Sequence, residues 1–514
     1  MRKLKKKNSQ GLHPIMSYVL LIIGTIVLSG FFKILDAQST FYEINNATLD
    51  MLPKTEVVSS LFNLSGLKYL FTNTVSNFAN FTVLTNLIII LMGISVMDKS
   101  GFLQTAITLT TKKMKKKTVT FIFVLFCILS SIFGDLSYLI FIPLGALLFY
   151  YGKRNPAIGI ITSFAALACG SGINVLFTST DSSLLNYTKL AAHTINSSYE
   201  INQTAFLVIM LVAILLISYI ITIVTENIIA KKLPKYEFSE TELEEDIVTK
   251  GEQKGMLYAC GSAIVYLIIF IYNIIPGLPL SGALLDYGQV AYIDKLFSVN
   301  SFFSNGFVFI VTMLFVLLGL FYGIGVKSIK NHKDFCDDLG HSLDGIGNML
   351  VMILFASIFI SIFKKSNLGY VIVAYISDVI GNSGFNGLPL ILLVFIGVGI
   401  ATIFVPSSEM KWYMLSSTVV PVMMRAEITP AFAQIIFRFA ETSVMNLTPL
   451  LAYFIVYLAF LEKYNQNDKK IKLWEAIKYQ IPYTIVIGLT MISLIIIWYI
   501  IGMPLGINTF PTFN

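Results

Sequence analysis

The sequence predicts an all-α membrane protein with about nine transmembrane helices plus two re-entrant helical hairpins arranged as an inverted repeat. Composition is the first reason: 56% of the 514 residues are hydrophobic and only 13% are charged, whereas a soluble domain carries about 25% charged residues. The second reason is that the apolar residues form continuous blocks, long enough to cross a bilayer as helices of about 20 residues. The third is a pair of interrupted apolar regions that resemble each other.

The uninterrupted apolar blocks predict the simple spans. The first block is too long for the apolar core of a cleavable signal peptide and lacks a small-residue cleavage site, so we expect it to remain as a helix. The predicted spans cover residues 15–35, 78–97, 205–229, 256–274, 306–326, 346–363 and 483–501.

Short basic runs beside these blocks set the predicted orientation, because Lys and Arg concentrate on the cytoplasmic side of a membrane. They place the N-terminus in the cytoplasm and the C-terminus outside it. The net charge of +7 is therefore interpreted as an orientation signal, and we expect no nucleic-acid partner. The basic runs are residues 2–7, 112–117, 231–235, 327–333 and 463–472.

Two further apolar regions, residues 118–190 and 385–460, are interrupted by Gly, Pro, Ser and Thr. Each is too long for one span, and the flanking charges require an odd number of crossings. We interpret each as a re-entrant hairpin followed by a broken helix. The first contains, in order, Pro143, Asn155-Pro156-Ala157 and Ser171-Gly172-Ile173-Asn174, and the second contains Pro421, Thr429-Pro430-Ala431 and Ser443-Val444-Met445-Asn446.

The charge pattern opens the first hairpin to the cytoplasm and the second to the outside, which makes an inverted repeat. Inverted repeats with broken helices are typical of secondary transporters, and irregular backbone at membrane depth requires protein or a water-filled cavity to satisfy it. The first predicted repeat covers residues 1–230, with its hairpin at about 118–152 and its broken helix at about 155–190. A cytoplasmic linker and connecting span follow over residues 231–303. The second predicted repeat covers residues 304–514, with its hairpin at about 387–424 and its broken helix at about 430–460.

Ionisable residues at membrane depth are the candidates for function, because each costs at least ~2.5–3.5 kcal/mol to insert. They fall in the two interrupted regions, and the uninterrupted spans contain almost none. No histidine lies in an apolar block, so a proton relay would have to use carboxylates. The residues are Asp135, Asp181, Glu409, Lys411, Arg438 and Glu441.

Arg438 and Glu441 lie three residues apart, on one face of a helix. They suit an anion-binding guanidinium beside a carboxylate that can take a proton; the alternative is an ion pair that only holds the broken helix. Asp181 follows the Asn174 break and a run of hydroxyl residues, which suits a cation or a polar substrate, or else a helix N-cap. Asn446 occupies the corresponding place in the second region.

The predicted tip of the second hairpin carries Ser407, Ser408 and Glu409 directly after Pro406. Helix N-termini at such tips attract carboxylates, although ordinary turn chemistry would also explain these residues. Trp412 could meet the aromatic part of a substrate, or belong to an interfacial belt. From this pattern we take Ser407, Ser408 and Trp412 as substrate-binding candidates and Glu409 as a candidate for ion coupling.

Several function classes are disfavoured by missing motifs. The sequence has no GxxxxGK[ST] segment, which argues against an ATP-driven pump, and no Gly-x-Ser-x-Gly or His-Glu-x-x-His motif, which argues against an intramembrane enzyme. We therefore expect no catalytic residues, no cofactor and no metal. An ion channel is an alternative class, but channels usually lack paired hairpins and an inverted repeat.

An ordered set of residues runs through much of the chain: Gly101-Phe102, Thr105-Ala106, Asp135, Tyr138, Pro143, Asn174, Thr180-Asp181, Lys411-Trp412, Pro421, Pro430, Arg438, Thr448-Pro449 and Tyr453. This set resembles the aminobenzoyl-glutamate transporter (AbgT) family over about residues 78–460. The resemblance implies nine spans, two hairpins and a homodimer in the cytoplasmic (inner) membrane. It also implies import of p-aminobenzoyl-glutamate or, as an alternative, proton-driven export of sulfonamide-type antimetabolites. A place in the transport path is implied for Asp181, Trp412, Pro430 and Arg438.

The sequence departs from the family pattern at three positions. Glu409 stands where the family usually has Ser, Glu441 where it has Asp, and Thr402 where it has Asn. The resemblance implies a sodium site around Thr402 and Glu441, which would be altered here. We therefore expect Asp181, Glu409, Glu441 and Thr402 to be the ion-coupling positions, with a proton favoured over sodium.

Overall fold

The computed structural model describes residues 13–45, 47–175, 178–202, 204–238, 248–298, 300–341, 343–467 and 469–513. The basic run at residues 2–7 lies outside them. The first helices are α1 Pro14–Ile34, α2 Leu64–Ala79, α3 Thr82–Lys99, α4 Phe102–Thr111, α5 Lys116–Leu129, α6 Leu136–Tyr151, α7 Pro156–Gly170, α8 Ser179–His193, α9 Leu207–Val224 and α10 Ala230–Lys232. The remaining helices are α11 Lys250–Ile274, α12 Tyr292–Phe297, α13 Phe302–Val326, α14 His332–His341, α15 Gly347–Lys365, α16 Leu368–Gly381, α17 Gly387–Phe404, α18 Ser408–Arg425, α19 Pro430–Val444, α20 Phe454–Lys463 and α21 Leu473–Ile501.

The helices confirm the prediction of a multi-spanning α-helical membrane protein. Within the described residues, 9 helical segments are long and apolar enough to cross a bilayer. All the predicted uninterrupted spans coincide with such segments. The others are the first arms of the two hairpins, Lys116–Phe133 and Gly387–Phe404, whereas each half of a broken helix is shorter than a full span.

Two of the helices that were not predicted from the sequence adjoin predicted spans. Leu64–Ala79 precedes the second predicted span and carries several Asn, Ser and Thr residues, so it does not read as an apolar block. Leu368–Gly381 lies between the span at Gly347–Lys365 and the second hairpin and has only 14 residues. Transmembrane spans were predicted from runs of about 20 apolar residues. Leu64–Ala79 is too polar to meet this criterion, and Leu368–Gly381 is too short.

A short antiparallel β-hairpin, β1 Gln38–Ile44 and β2 Met51–Val57, follows the first helix and was also not predicted. It packs against the second arm of hairpin 2, where Phe41 meets Tyr413 edge to face at 5.8 Å. Lys54 donates to the Tyr413 hydroxyl at 3.2 Å and pairs with Glu43 at 3.2 Å. Hydrogen bonds from Tyr413 and Lys54 lower the pKa of the Glu43 carboxyl.

The two interrupted regions fold as helical hairpins that turn sharply. In hairpin 1, α5 ends in a 3-10 turn, Ser130–Phe133, and the chain reverses at Gly134, whose φ is 57°. In hairpin 2, α17 ends at Phe404 and α18 begins at Ser408 after three extended residues. Each interrupted region thus begins with two helices joined by a tight turn.

A broken helix follows each hairpin, and both broken helices begin with the same chemistry. The side chain of Asn155 accepts from the amide of Ala157, with proline at the first helical position. Thr429 likewise accepts from the amide of Phe432, again just before a proline. Proline at this position loses no hydrogen bond, because the first amides of a helix have no intrahelical partner. The repeated Asx/Thr-Pro-Ala pattern thus marks equivalent helix starts.

Glycines allow the broken helices to lie close to their neighbours. Gly159 of α7 faces the backbone of Gly145 in α6, where a Cβ would overlap it. Gly172, in the first break, lies against Thr442 and the backbone of Arg438, so a Cβ there would also overlap. The second contact brings the first break onto α19 of the second repeat, which places the two interrupted regions side by side.

Candidate functional site

A cavity of about 1000 Å³ lies between the two hairpin tips and the two helix breaks. It combines side chains from both interrupted regions with several aromatic rings, which is the arrangement expected if broken backbone lines a solute site. Its walls include Ser131 to Tyr138 from hairpin 1, Ser171, Asn174 and Thr178 to Thr180 from the first break, Phe404 to Met410 from hairpin 2, and Arg438, Met445 and Leu450 to Tyr453 from the second broken helix.

Arg438, on the cavity wall, forms an ion pair with Asp181, with Nη2 and Oδ1 at 2.9 Å. The other carboxylate oxygen of Asp181 accepts from the Asn174 amide at 3.1 Å and from the amide and hydroxyl of Thr178 at 3.0 and 2.7 Å. Asp181 is thus also the third residue of a capping box on α8. The N-cap itself is Thr178, so Asp181 caps the helix from its first turn and not from the position before it.

One edge of the Arg438 guanidinium is left without a hydrogen bond. Nη2 also donates to the Ser171 carbonyl at 3.3 Å, but Nη1 has no hydrogen-bond partner among the described residues although it is buried. Its nearest ionic neighbour is Oε2 of Glu441 at 3.9 Å, which also lacks a partner. A buried donor without an acceptor is costly, so this edge is suited to a ligand oxygen.

Lys411 is the principal partner of Glu441, a contact that the sequence analysis did not foresee. The Nζ–Oε1 distance is 2.6 Å, and both side chains are fully buried. The Ser408 hydroxyl donates to the same oxygen at 2.6 Å. The sequence suggested pairing of Glu441 with Arg438, which lies one helical turn away; that contact exists but is longer than the one to Lys411.

The tip of hairpin 2 places Ser407, Ser408 and Glu409 on the cavity wall. Ser407 caps α18 by accepting from the amide of Met410 at 3.4 Å. Glu409 lies in the first turn of that helix, is partly buried, and has no ion pair within the described part of the chain. Carboxylates are favoured in a first helical turn, which explains how Glu409 is tolerated without a cation.

Three predicted site residues lie behind the cavity wall. Trp412 is fully buried, donates from Nε1 to the Thr188 hydroxyl at 2.8 Å, and packs on Phe437 at 4.6 Å. Asn446 bonds to the Gln480 carbonyl at 3.2 Å and fixes the second break to α21. Thr402 donates to a carbonyl of its own helix at 2.8 Å. These residues position the wall instead of facing the cavity.

Asp135 and Tyr453 lie together on the opposite wall, at the turn of hairpin 1. The Tyr453 hydroxyl lies in hydrogen-bond contact with the Asp135 carboxylate, and its ring stacks on Tyr138 at 4.9 Å. The Asn174 amide oxygen accepts from Ser131 at 2.6 Å and ties the first break to the same tip. Sequence analysis singled out Asp135 for its charge at membrane depth, but nothing near it in the chain indicated Tyr453.

No cluster of three or more His, Cys, Asp or Glu side chains is arranged to hold a metal ion in the described ranges. Three residues of metal-ligating types that lie close together in the sequence, His332, Cys336 and His341, lie along helix α14 and are not part of the cavity wall.

Known proteins resemble this chain over nearly its whole length. A family model described as "AbgT putative transporter family" matches residues 6–513. The chain is 24% identical over 503 residues to the p-aminobenzoyl-glutamate transport protein of Escherichia coli (strain K12), which covers 97% of this chain and 94% of that protein. Among solved structures, the YdaH transporter of Alcanivorax borkumensis is 23% identical with a TM-score of 0.48 and covers 96% of this chain and 100% of that one. MtrF of Neisseria gonorrhoeae, an antimetabolite efflux pump, is 25% identical with a TM-score of 0.46 and covers 97% of both chains.

Proposed function

The chain belongs to the AbgT transporter family and is a multi-pass membrane transporter, and from this premise we propose that it is a secondary active transporter for a small aromatic solute with a carboxylate. The reference compound is p-aminobenzoyl-glutamate, because the curated relative over 97% of the chain carries that activity in its name. The solute is bound in the cavity between the hairpin tips, and the two repeats rock around it to give alternating access.

The observation that carries this proposal is the incomplete hydrogen bonding of Arg438, a residue of the cavity wall. Its Nη1 is buried without a hydrogen-bond partner in the described residues and lies 3.9 Å from Oε2 of Glu441, while Nη2 is held by Asp181. A planar guanidinium already fixed on one side is well placed to donate to a carboxylate oxygen on the other. Aromatic side chains elsewhere on the wall suit the apolar part of such a solute.

A proton suits the coupling role better than sodium. A hard cation requires a shell of oxygen ligands, but Oε1 of Glu441 already accepts from the Lys411 ammonium and the Ser408 hydroxyl. A second cation at that oxygen would be repelled by the first. The proton is therefore assigned to a carboxylate: Glu409, which lines the cavity, is the first candidate, and Glu441 and Asp181 are the others.

The proposal extends to the setting of the protein. We place it in the cytoplasmic membrane as a homodimer, with the N-terminus inside and the C-terminus outside, following the charge pattern and the family resemblance.

Transport in proteoliposomes tests the proposal. Labelled p-aminobenzoyl-glutamate should show saturable flux that unlabelled aromatic carboxylates compete for, whereas a channel would give flux that does not saturate. Sulfonamides in the same assay, with right-side-out and inverted vesicles, test the export alternative. Absence of saturable flux for every aromatic carboxylate tried would refute the proposed function.

A further inference from the structure

The charges on the cavity wall are unbalanced once the ion pairs are taken into account. The charge of Arg438 is offset by Asp181 at 2.9 Å, and that of Lys411 by Glu441 at 2.6 Å. The charged side chains that remain on the wall are two carboxylates, Asp135 and Glu409, and a single amine, that of Lys364. A cavity with this excess of negative charge disfavours a solute that brings two further negative charges.

Asp135 offers a site for a positive group. It follows Gly134 at the turn of hairpin 1, is open to the cavity, and has no ion pair within the described ranges. The Tyr453 hydroxyl contacts its carboxylate, and that ring is held in place by stacking on Tyr138 at 4.9 Å. The carboxylate is thus held in position and retains acceptor capacity for an ammonium group.

The wall around Asp135 is aromatic. Phe133, two residues earlier, stacks on Phe307 at 5.3 Å, and Phe307 contacts Phe303 at 5.3 Å. All three rings line the cavity. Aromatic faces next to a carboxylate favour a ligand that carries both a cation and an apolar ring.

From these features we propose that the cavity selects a zwitterionic aromatic solute, such as an aromatic dipeptide, whose carboxylate binds Arg438 and whose protonated amine binds Asp135. This inference rests on the proposed function, because it uses the same cavity and the same guanidinium. It narrows the substrate class to solutes with one carboxylate and one amine. A volume of about 1000 Å³ is ample for a molecule of this size.

A matched ligand series tests the proposal on the purified full-length protein by titration calorimetry. The series is phenylalanyl-glycine, its N-acetyl form, its C-terminal amide and p-aminobenzoyl-glutamate. The free dipeptide should bind at least about tenfold more tightly than either blocked form. Asp135→Asn should bring the ratio between the free and N-acetyl forms close to one, while Glu427→Gln, at the exposed mouth of hairpin 2, should leave that ratio unchanged.

The outcomes separate this inference from the proposed function. Tighter binding of p-aminobenzoyl-glutamate than of the zwitterion, or an unchanged ratio in Asp135→Asn, overturns the inference and leaves aromatic carboxylate transport standing. If none of the four compounds binds, both fail. Should Asp135→Asn not fold, as judged by thermal unfolding, the wild-type ratio and the variant Tyr453→Phe decide, since loss of the positioning hydroxyl should lower the same ratio.

Discussion

Arg438 is the residue whose geometry makes the sharpest prediction. Its guanidinium bonds Asp181 with one nitrogen and leaves the other without a hydrogen bond, so two directed donors are needed at once. An ammonium keeps the charge but lacks the planar fork. We therefore expect Arg438→Lys to lower uptake by at least about tenfold, measured as initial rates in proteoliposomes.

The control for this change is Arg425→Lys, which makes the same substitution at the exposed end of α18. It should transport like the wild type. Normal transport by Arg438→Lys would mean that the residue supplies only a structural charge. Arg438→Ala cannot separate these roles, because it would strand the Asp181 carboxylate.

The Lys411–Glu441 pair makes a prediction about stability. Both side chains are fully buried at 2.6 Å, so removing one partner leaves an uncompensated charge, at a cost of about 3–5 kcal/mol. Lys411→Met and Glu441→Met should each lower the temperature of thermal unfolding clearly, and the double variant should recover most of the loss. Lys54→Met, which removes one side of an exposed pair, should cost about 1 kcal/mol or less. A double variant as unstable as the worse single one would contradict this account.

At the scale of single residues, the sequence indicated which side chains are candidates but not which side chains they contact. Arg438 and Asp181 were both singled out because a charge at membrane depth is rarely neutral for function. Their contact joins residues 257 positions apart, and no local pattern encodes it. The sequence likewise suggested that Glu441 pairs with Arg438, because the two lie on one helix face. The nearer partner of Glu441 is Lys411, which lies on another helix and could not be recognised from spacing.

At the scale of elements, the first break depends on close contact with α19. Gly172 sits where a Cβ would lie 2.7 Å from the Arg438 carbonyl oxygen and overlap the Thr442 hydroxyl. Gly172→Ala should therefore push the break away from the helix that carries Arg438. We expect strongly reduced substrate affinity together with a modest loss of stability, of about 1–3 kcal/mol, measured by binding and thermal unfolding.

Gly261→Ala is the matched control for this change. Gly261 lies within α11 with no atom near its Cβ position, so alanine there should be neutral or stabilise by up to about 1 kcal/mol. If Gly172→Ala binds substrate as well as Gly261→Ala does, the packing of the break on α19 is not needed for the site.

Helices could be predicted where the sequence has a long apolar block or where chain-breaking residues stand at a helix end. The repeated Asn155-Pro156 and Thr429-Pro430 pairs stand at the starts of α7 and α19, because proline favours the first helical turn. The β-hairpin at residues 38–57 left no such mark. Its stability comes from contacts such as Phe41 on Tyr413, which join segments far apart in the chain.

At the scale of the whole molecule, hydrogen bonds between loops agree with the predicted topology. Segments predicted outside bond to one another: Thr429 to Pro511 at 2.9 Å and Ser59 to Ser366 at 3.0 Å, backbone to backbone. Segments predicted in the cytoplasm do the same, since Asn155 donates to the Pro234 carbonyl at 2.9 Å. This sorting is what an inverted repeat with oppositely facing hairpin mouths requires.

Labelling with a membrane-impermeant thiol reagent tests this topology. Single cysteines at Asn45 and Met114 are placed in a background in which Cys260 and Cys336, the exposed native cysteines, are replaced by serine. In intact cells the cysteine at 45 should be labelled and the one at 114 should not, until the membrane is permeabilised. Labelling at 114 in intact cells would overturn the charge-based orientation and, with it, the inverted repeat.

In the proposed mechanism both repeats move around one titrating group, so the coupling prediction belongs to the whole molecule. Glu409 lines the cavity at the tip of hairpin 2 and has no ion pair in the described residues, whereas Glu441 is held by Lys411 and Ser408. Of these two carboxylates, Glu409 is the one that faces the cavity, so it is the first candidate to carry the coupling proton. We expect transport to respond to an imposed pH gradient and to persist without sodium.

Glu409→Gln should abolish the response to pH but retain exchange of solute across the membrane, while Glu427→Gln, at an exposed position, should behave like the wild type. Transport that requires a sodium gradient and ignores the pH gradient would refute proton coupling, and would direct attention back to Thr402 and Glu441.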